Sequence, residues 1–146
     1  MVIIGYGSIG KRHCKNLSKF KDIQCFVVTN RKRINLPSKN FQKFNSLDEC
    51  LKLHPDIGFI TNVTSSHVDI ATKLVKANCH VFIEKPLSNS MKGVKKLENL
   101  IQKKRLVSTI GCVMRFHPCL KKIKHLISEG EIGKILYVRM ENGSYM

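Results

Sequence analysis

The chain has 146 residues, which suffice for one domain with a sizeable core but not for two complete domains. Its 26 lysines and arginines against 10 acidic residues give a formal charge of +16. These basic residues are spread over several predicted helix faces and form no stripe with interleaved aromatic residues. The distribution argues against nucleic-acid binding. No apolar run reaches the roughly 18 residues of a membrane span, and the chain starts directly with a predicted strand, so we expect a cytosolic protein without membrane anchor or signal peptide.

The cysteines and histidines lack the spacing of a disulfide framework or a metal site. Neither a CxxC pair nor an HExxH motif occurs, and several cysteines lie in predicted strands or helices, where a small apolar side chain packs well. We therefore predict reduced structural thiols and no metal site. The cysteines are Cys14, Cys25, Cys50, Cys79, Cys112 and Cys119.

A glycine-rich turn follows at once on the first predicted strand, residues 2–4. Gly5 permits a tight turn, Gly7 lets the backbone approach a phosphate, and Gly10 allows a helix to pack closely on the strand. The helix would begin at about Ser8, where its unpaired N–H groups and positive dipole end face a pyrophosphate. The turn predicts a dinucleotide site, with a merely structural turn as the alternative. Its GxGxxG motif comprises Gly5, Tyr6, Gly7, Ser8, Ile9 and Gly10.

Strands and helices alternate along the chain after this turn. Apolar residues at helical spacing follow it, and residues 30–40 are polar and basic, which indicates a loop. Ser46 with Glu49 three positions on has the form of a capping box, and Ser65 or Ser66 would cap another helix. The remaining apolar patterns predict strands at residues 23–28, 57–60, 80–83 and 106–110, and an amphipathic helix at residues 91–101.

This alternation predicts an α/β protein with a doubly wound, parallel Rossmann sheet that is covered on both faces. Residues 1–117 would form the dinucleotide-binding domain. Beyond them, Pro118 can open a helix that ends at Gly130, and one more strand is predicted at residues 135–140. A single strand has no partner of its own, so we interpret residues 118–146 as the incomplete start of a second α/β domain and the chain as a fragment.

Four motifs in this order resemble those of one oxidoreductase family. They are residues 5–10, residues 61–67 (TNVTSSH), the tripeptide Glu84-Lys85-Pro86 and residues 130–134 (GEIGK). Over nearly its whole length the chain is similar to the glucose-fructose oxidoreductase, inositol dehydrogenase and rhizopine-catabolism (Gfo/Idh/MocA) family. The resemblance implies an NAD(P)-dependent oxidoreductase that acts on a sugar, nucleotide sugar or polyol. It also implies a homo-oligomer for a full-length protein, because the second domain of the family often builds the interface between subunits.

The resemblance assigns the chemistry to the tripeptide. Lys85 would hydrogen-bond the substrate hydroxyl and stabilise alkoxide character on its oxygen as a hydride leaves for the nicotinamide. Glu84 would lie near the nicotinamide ribose and accept hydrogen bonds from its hydroxyl groups, and Pro86 would fix the turn. The alternative for Lys85 is an ordinary solvated lysine on a loop.

Three further sites match family positions. Thr61 and Asn62 would lie beside the cofactor at the end of a strand, although the family more often has proline in place of Asn62. His67 matches a common histidine at a helix start, where a buried capping role competes with a cofactor contact. Arg115 matches the crossover between the two domains, where an arginine would touch cofactor or substrate or else pack the junction.

The end of the second predicted strand favours NADP over NAD as the cofactor. A carboxylate about 20 residues after the glycine motif would bind the ribose 2′-hydroxyl and repel a 2′-phosphate. This sequence has Asn30 and Arg31 there instead, followed by Lys32 and Arg33. The three cations can hold the phosphate, whereas Asn30 can still bind a free hydroxyl, which leaves NAD as the alternative.

Family members complete the site with a histidine from the second domain, commonly in an acid-x-x-x-His pattern, and nothing after Pro118 fits. We therefore expect the full-length protein to be an enzyme and this chain to bind cofactor without turnover. A non-catalytic dinucleotide-binding sensor or assembly module is the alternative. Such a module would need the phosphate-binding turn but no group at the site of hydride transfer.

Overall fold

Six short strands form the sheet of the structure, a computed structural model that describes residues 1–141 and residue 143. The strands are β1 (Val2–Ile4), β2 (Cys25–Val28), β3 (Phe41–Phe44), β4 (Ile57–Ile60), β5 (His80–Ile83) and β6 (Ser108–Ile110). All pairs are parallel, and the order across the sheet is β3-β2-β1-β4-β5-β6. The strand order reverses between β1 and β4, as in a doubly wound sheet. The predicted Rossmann fold is thereby confirmed.

Helices connect these strands and continue after them. They are α1 (Ser8–Leu17), α2 (Leu47–Leu51), α3 (His67–Lys76), α4 (Val94–Lys104) and α5 (Pro118–Ser128), with short 3-10 turns at Thr64–Ser66 and Val113–Phe116. The side chain of Ser46 caps α2 by accepting a hydrogen bond of 3.2 Å from the backbone N–H of Asp48. This cap agrees with the prediction from the sequence.

The described residues divide into two compact units, the first of which is Met1–Gly111 and the second of which begins at Cys112. The whole sheet and helices α1 to α4 belong to the first unit, and α5 belongs to the second. No helix in the described part of the chain has the length and apolar character needed to cross a bilayer.

The first unit has a core on each face of its sheet. Successive side chains of a strand point to opposite faces, so Val2 and Ile4 join one cluster of buried residues and Ile3 joins the other. The first cluster includes buried side chains of α2, α3 and α4, whereas the second includes Cys14 of α1. The helix that follows the glycine turn, α1, therefore lies on the face of the sheet opposite to α2, α3 and α4.

The six cysteines are free, and Cys14, Cys25, Cys50 and Cys79 are buried. Burial raises the pKa of the Cys14 thiol to about 12, with a smaller contribution from the neighbouring Cys25. Burial likewise raises the pKa of Cys50 to about 12. Both groups are therefore protonated and unreactive near neutral pH, as expected of cysteines that serve as small apolar side chains.

Two strands differ from the sequence-based expectation. β3 was not predicted, because its centre is polar, and pairing with β2 outweighs that local signal: Phe41 lies opposite Cys25 and Phe44 opposite Val28. The strand predicted at residues 135–140 was wrong, since these residues form no strand in the structure. A strand requires a neighbour with which its backbone can pair, and the described residues of the second unit supply none.

Candidate functional site

The glycine turn joins β1 to α1 in a conformation that requires glycine at two positions. Gly5 has a φ of +99°, and a Cβ there would lie 2.9 Å from the backbone nitrogen of Asn62. A Cβ on Gly10 would overlap the carbonyl oxygen of Gly5 and would lie 2.8 Å from Oγ1 of Thr61. The turn therefore packs tightly against both α1 and the residues that follow β4.

Gly7 differs from these two glycines because its surroundings are open. A Cβ on Gly7 would have no heavy atom of the described residues within 4 Å, apart from its chain neighbours. Gly7 is the N-cap of α1, whose first turn, starting with Ser8 and Ile9, contains no acidic residue. The first N–H groups of a helix lack partners within the helix and attract anions. This geometry fits a phosphate group that lies against the backbone of Gly7.

Thr61 connects the ends of the two central strands, β1 and β4. Its hydroxyl oxygen lies 2.9 Å from the carbonyl oxygen of Ile4 and 3.1 Å from that of Gly5. The next residue, Asn62, has a buried Oδ1 with no hydrogen-bond partner among the described residues. Buried acceptors usually have a donor, so this atom also fits a site that is completed by a bound group.

The tripeptide Glu84-Lys85-Pro86 leaves β5 at the same edge of the sheet. The backbone N–H of Glu84 extends the strand pairing by donating a hydrogen bond of 2.9 Å to the carbonyl of Ile60. The carboxylate oxygen Oε2 of Glu84 accepts a hydrogen bond of 3.3 Å from the backbone N–H of Lys85. The peptide bond between Lys85 and Pro86 is cis, and the lysine is exposed. Lys85 is thus accessible at the edge where the glycine turn lies.

His67, the first residue of α3, links this tripeptide to the loop after β4. Its side chain is buried, with 1 % exposure. Nδ1 lies 3.0 Å from the carbonyl oxygen of Pro86, and Nε2 lies 3.1 Å from that of Asn62. A neutral imidazole can donate to one of these carbonyls, and an imidazolium can donate to both. In this structure the two ring nitrogens of His67 face backbone atoms, and the residue holds two loops of the site together.

Replacement of His67 with leucine is expected to lower the free energy of unfolding by about 2–4 kcal/mol, because leucine fills the volume but leaves at least one buried backbone carbonyl without its donor. Chemical denaturation followed by circular dichroism measures this loss. His125→Leu on exposed α5 serves as the control, with an expected change of at most about 0.5 kcal/mol. Equal small losses in both variants would contradict the bridging role of His67.

His13 on α1 also lies at this edge, although the sequence did not identify it as a functional candidate. Its Nε2 lies 2.7 Å from Oε1 of Glu84, and the two residues are 71 positions apart in the chain. The ring packs against Phe59 and Phe82, at centroid distances of 5.5 and 5.1 Å. In the sequence, His13 is marked only by its helical spacing from Ile9. This spacing predicts a residue that faces the interior, but it does not identify a contact partner.

A cavity of about 780 Å³ lies beside α1 and the segment that follows β2. Lys11 and Lys15 line it from α1, and Arg31 and Arg33 line it from the segment after β2. Its lining includes no acidic side chain among the described residues. Asn30, the residue before Arg31, is exposed. Four cations around one cavity produce a positive potential that suits a multiply charged anion.

Arg115 lies in the second unit, in the 3-10 turn Val113–Phe116. It is exposed, and its backbone N–H donates a hydrogen bond of 3.0 Å to the carbonyl of Cys112. Its contact with a cofactor or substrate stays a prediction. Within residues 1–141 and 143, no group of three or more His, Cys, Asp or Glu side chains is placed to hold a metal ion.

Comparisons with known proteins relate these features to one family. Residues 1–112 match the GFO_IDH_MocA family model, which describes an oxidoreductase family with an NAD-binding Rossmann fold. The oxidoreductase YrbE of Bacillus subtilis (strain 168) is 30 % identical over a match that covers 99 % of this chain and 48 % of YrbE. The scyllo-inositol 2-dehydrogenase (NAD(+)) of the same organism is 31 % identical over 84 residues, which cover 58 % of this chain and 25 % of that enzyme.

The fold is also that of a solved structure, the myo-inositol 2-dehydrogenase from Lactobacillus plantarum. The TM-score is 0.82 at 23 % identity, and the match covers 93 % of this chain and 42 % of the other. The chain thus spans about half the length of these relatives or less. Both the glycine turn and the Glu84-Lys85-Pro86 turn lie within the residues that match the family model. The chain therefore belongs to the Gfo/Idh/MocA family of oxidoreductases and contains its NAD-binding Rossmann domain.

Proposed function

We propose that the chain is the cofactor-binding part of an NAD(P)-dependent oxidoreductase, which transfers a hydride between a nicotinamide and a hydroxyl or carbonyl carbon of a sugar, nucleotide sugar or polyol. One observation carries this proposal: the glycine turn after β1 and the tripeptide Glu84-Lys85-Pro86 after β5 share the carboxyl edge of a parallel sheet. Ligands of open α/β sheets bind beyond that edge, where the strand order reverses. The scyllo-inositol 2-dehydrogenase that is similar to this chain supports a substrate with several hydroxyl groups.

The glycine turn would hold the pyrophosphate of the cofactor. Gly5 and Gly10 set the shape of the turn, and the open surroundings of Gly7 leave space for phosphate oxygens at the start of α1. The backbone N–H groups of Ser8 and Ile9, at the positive end of the helix dipole, would donate hydrogen bonds to those oxygens. Thr61 and Asn62 lie against the same turn and would line the middle of the bound dinucleotide.

The nicotinamide supplies the hydride acceptor or donor when the cofactor is bound. Lys85 would donate a hydrogen bond from Nζ to the substrate oxygen and stabilise the negative charge that develops there as the hydroxyl proton leaves. Glu84 would accept hydrogen bonds from the nicotinamide ribose, because a carboxylate is purely an acceptor. The base that takes the proton would come from a substrate domain that begins at about Pro118, so this chain by itself would bind cofactor without turnover.

The cationic cavity supports NADP as the preferred cofactor. A 2′-phosphate on the adenosine ribose would lie near the end of β2, where Arg31 and Arg33 meet Lys11 and Lys15 across the cavity. Charge-assisted hydrogen bonds from these groups would offset the cost of removing the phosphate from water. NAD is the alternative, because Asn30 can bind a free ribose hydroxyl and one similar enzyme is named for NAD(+).

Replacement of Arg31 with alanine is expected to weaken NADPH binding by about 5- to 150-fold, equivalent to a loss of about 1–3 kcal/mol for a phosphate partner. NADH binding should change by less than about threefold, because NADH lacks the 2′-phosphate. Calorimetric titration of both cofactors at one moderate salt concentration measures the two effects.

Lys103→Ala is the control for the loss of one positive charge, since Lys103 is exposed on α4, on the face of the sheet opposite α1, and it should leave both affinities unchanged. Tighter binding of NADH than NADPH by the wild-type chain would refute the NADP preference. So would equal affinities that Arg31→Ala does not alter.

A further inference from the structure

The carboxylate of Glu84 is held from several directions. Oε1 lies 2.7 Å from Nε2 of His13, and Oε2 accepts a hydrogen bond of 3.3 Å from the backbone N–H of Lys85. On a third side lies Gly111, where an added Cβ would be 3.0 Å from Oε2. The side chains of His13 and Glu84 are 18 % and 15 % exposed. The carboxylate is therefore accessible but oriented by its neighbours.

His13 is itself held in place by aromatic packing. Its ring touches Phe59 of β4 and Phe82 of β5, which lie opposite each other in the sheet with centroids 5.3 Å apart. Edge and tilted contacts of this kind stabilise one ring orientation. The imidazole thus approaches Glu84 from a fixed position on α1, the helix that starts at the glycine turn.

Donor and acceptor roles in this pair follow from the chemistry of the carboxylate. An ionised carboxylate can only accept, so Nε2 of His13 must carry the proton that lies between them. A hydrogen bond of 2.7 Å to a charged acceptor is among the stronger ones in proteins. Each carboxylate oxygen of Glu84 has one donor in this structure and retains a lone pair for a further donor.

We propose that His13 is a positioning residue that fixes the carboxylate of Glu84, so that its remaining lone pairs accept hydrogen bonds from the hydroxyls of the nicotinamide ribose. The inference rests on the proposed function, since it requires a nicotinamide cofactor whose ribose reaches Glu84. His13 would act at a distance from the pyrophosphate, so its loss should affect only ligands that contain the nicotinamide ribose.

The test compares ligands with and without that ribose on two variants of His13. His13→Phe keeps an aromatic ring but removes the N–H, whereas His13→Gln places an amide N–H near the former position of Nε2. We expect His13→Phe to weaken binding of the dinucleotide that the wild-type chain prefers, NADPH or NADH, by on the order of tenfold. Its affinity for ADP should stay within about twofold of the wild-type value, and His13→Gln should recover most of the lost dinucleotide affinity.

A double-mutant cycle shows whether His13 acts through Glu84. If it does, adding His13→Phe to Glu84→Gln should weaken dinucleotide binding little beyond the single Glu84→Gln change. His125→Phe on α5 is the control and should bind both ligands normally.

Three outcomes would overturn the proposal at different levels. Equal losses for ADP and dinucleotide in His13→Phe would show a merely structural role, and additive losses in the cycle would show that His13 does not act through Glu84. A wild-type chain that binds neither NADPH nor NADH would refute the proposed function itself, and the role of His13 with it.

Discussion

Replacement of Gly7 with valine is expected to abolish dinucleotide binding while the protein stays folded. A Cβ at this position meets no heavy atom of the described residues within 4 Å beyond the chain neighbours, so the fold accepts a side chain. The valine methyl groups would instead occupy the space that a pyrophosphate needs against the start of α1. Calorimetric titration with NADPH and NADH, together with circular dichroism and a thermal melt, separates binding from folding.

Gly10→Val is the matched comparison, and we expect it to destabilise the fold itself, in contrast to Gly7→Val. A Cβ on Gly10 would overlap the carbonyl oxygen of Gly5, so the side chain should displace α1 from β1 and destabilise the domain by about 3–5 kcal/mol. A folded Gly7→Val protein that binds either cofactor normally would show that the turn is structural and does not hold a phosphate.

The second large effect concerns Lys85 in a polypeptide that also carries the proposed substrate domain. Lys85→Ala should lower kcat by about two to four orders of magnitude, the usual range for loss of a proton-transfer or oxyanion-stabilising group. Cofactor affinity should stay within a few-fold, because other residues would hold the phosphates and the ribose. Steady-state kinetics with the identified substrate and titration of the cofactor measure the two quantities separately.

Lys92→Ala offers a control, since Lys92 is an exposed lysine on the segment that leads to α4. It should leave kcat unchanged. In the 146-residue chain alone, Lys85→Ala should alter almost nothing, because the residues that complete the site would come from the proposed substrate domain. Near-normal turnover of the Lys85→Ala enzyme would show that Lys85 has no catalytic role and would favour a cofactor-binding sensor or assembly module.

The fold could be predicted where hydrophobic pattern and turn chemistry coincide. β1, β4 and β5 are apolar runs bounded by glycine, asparagine or the Glu84-Lys85-Pro86 tripeptide, and each was predicted at the observed residues. β3 was missed, because Gln42 and Lys43 interrupt its apolar residues and its pairing with β2 is a property of the assembled sheet. Residues 135–140 have the composition of a strand, but composition does not provide a partner.

The candidate site shows the same division between local and long-range information. The glycine motif and the Glu84-Lys85-Pro86 tripeptide are contiguous, so the sequence identifies them directly. The contact between His13 and Glu84 joins α1 to the end of β5, and no local pattern specifies it. For His67 the sequence left two roles open, and the contacts of its ring nitrogens with Asn62 and Pro86 depend on how two separate loops fold together.

The order of the strands separates the proposed determinant of cofactor choice from the proposed site of hydride transfer. Arg31 follows β2 and Lys85 follows β5, and three strand spacings lie between these two strands, a distance of about 14 Å. Residues so far apart that share no partner contribute almost independently to the free energy of binding. If Arg31 and Lys85 act as proposed, substitutions at the β2 end can therefore change the cofactor preference without altering the residues at the β5 end.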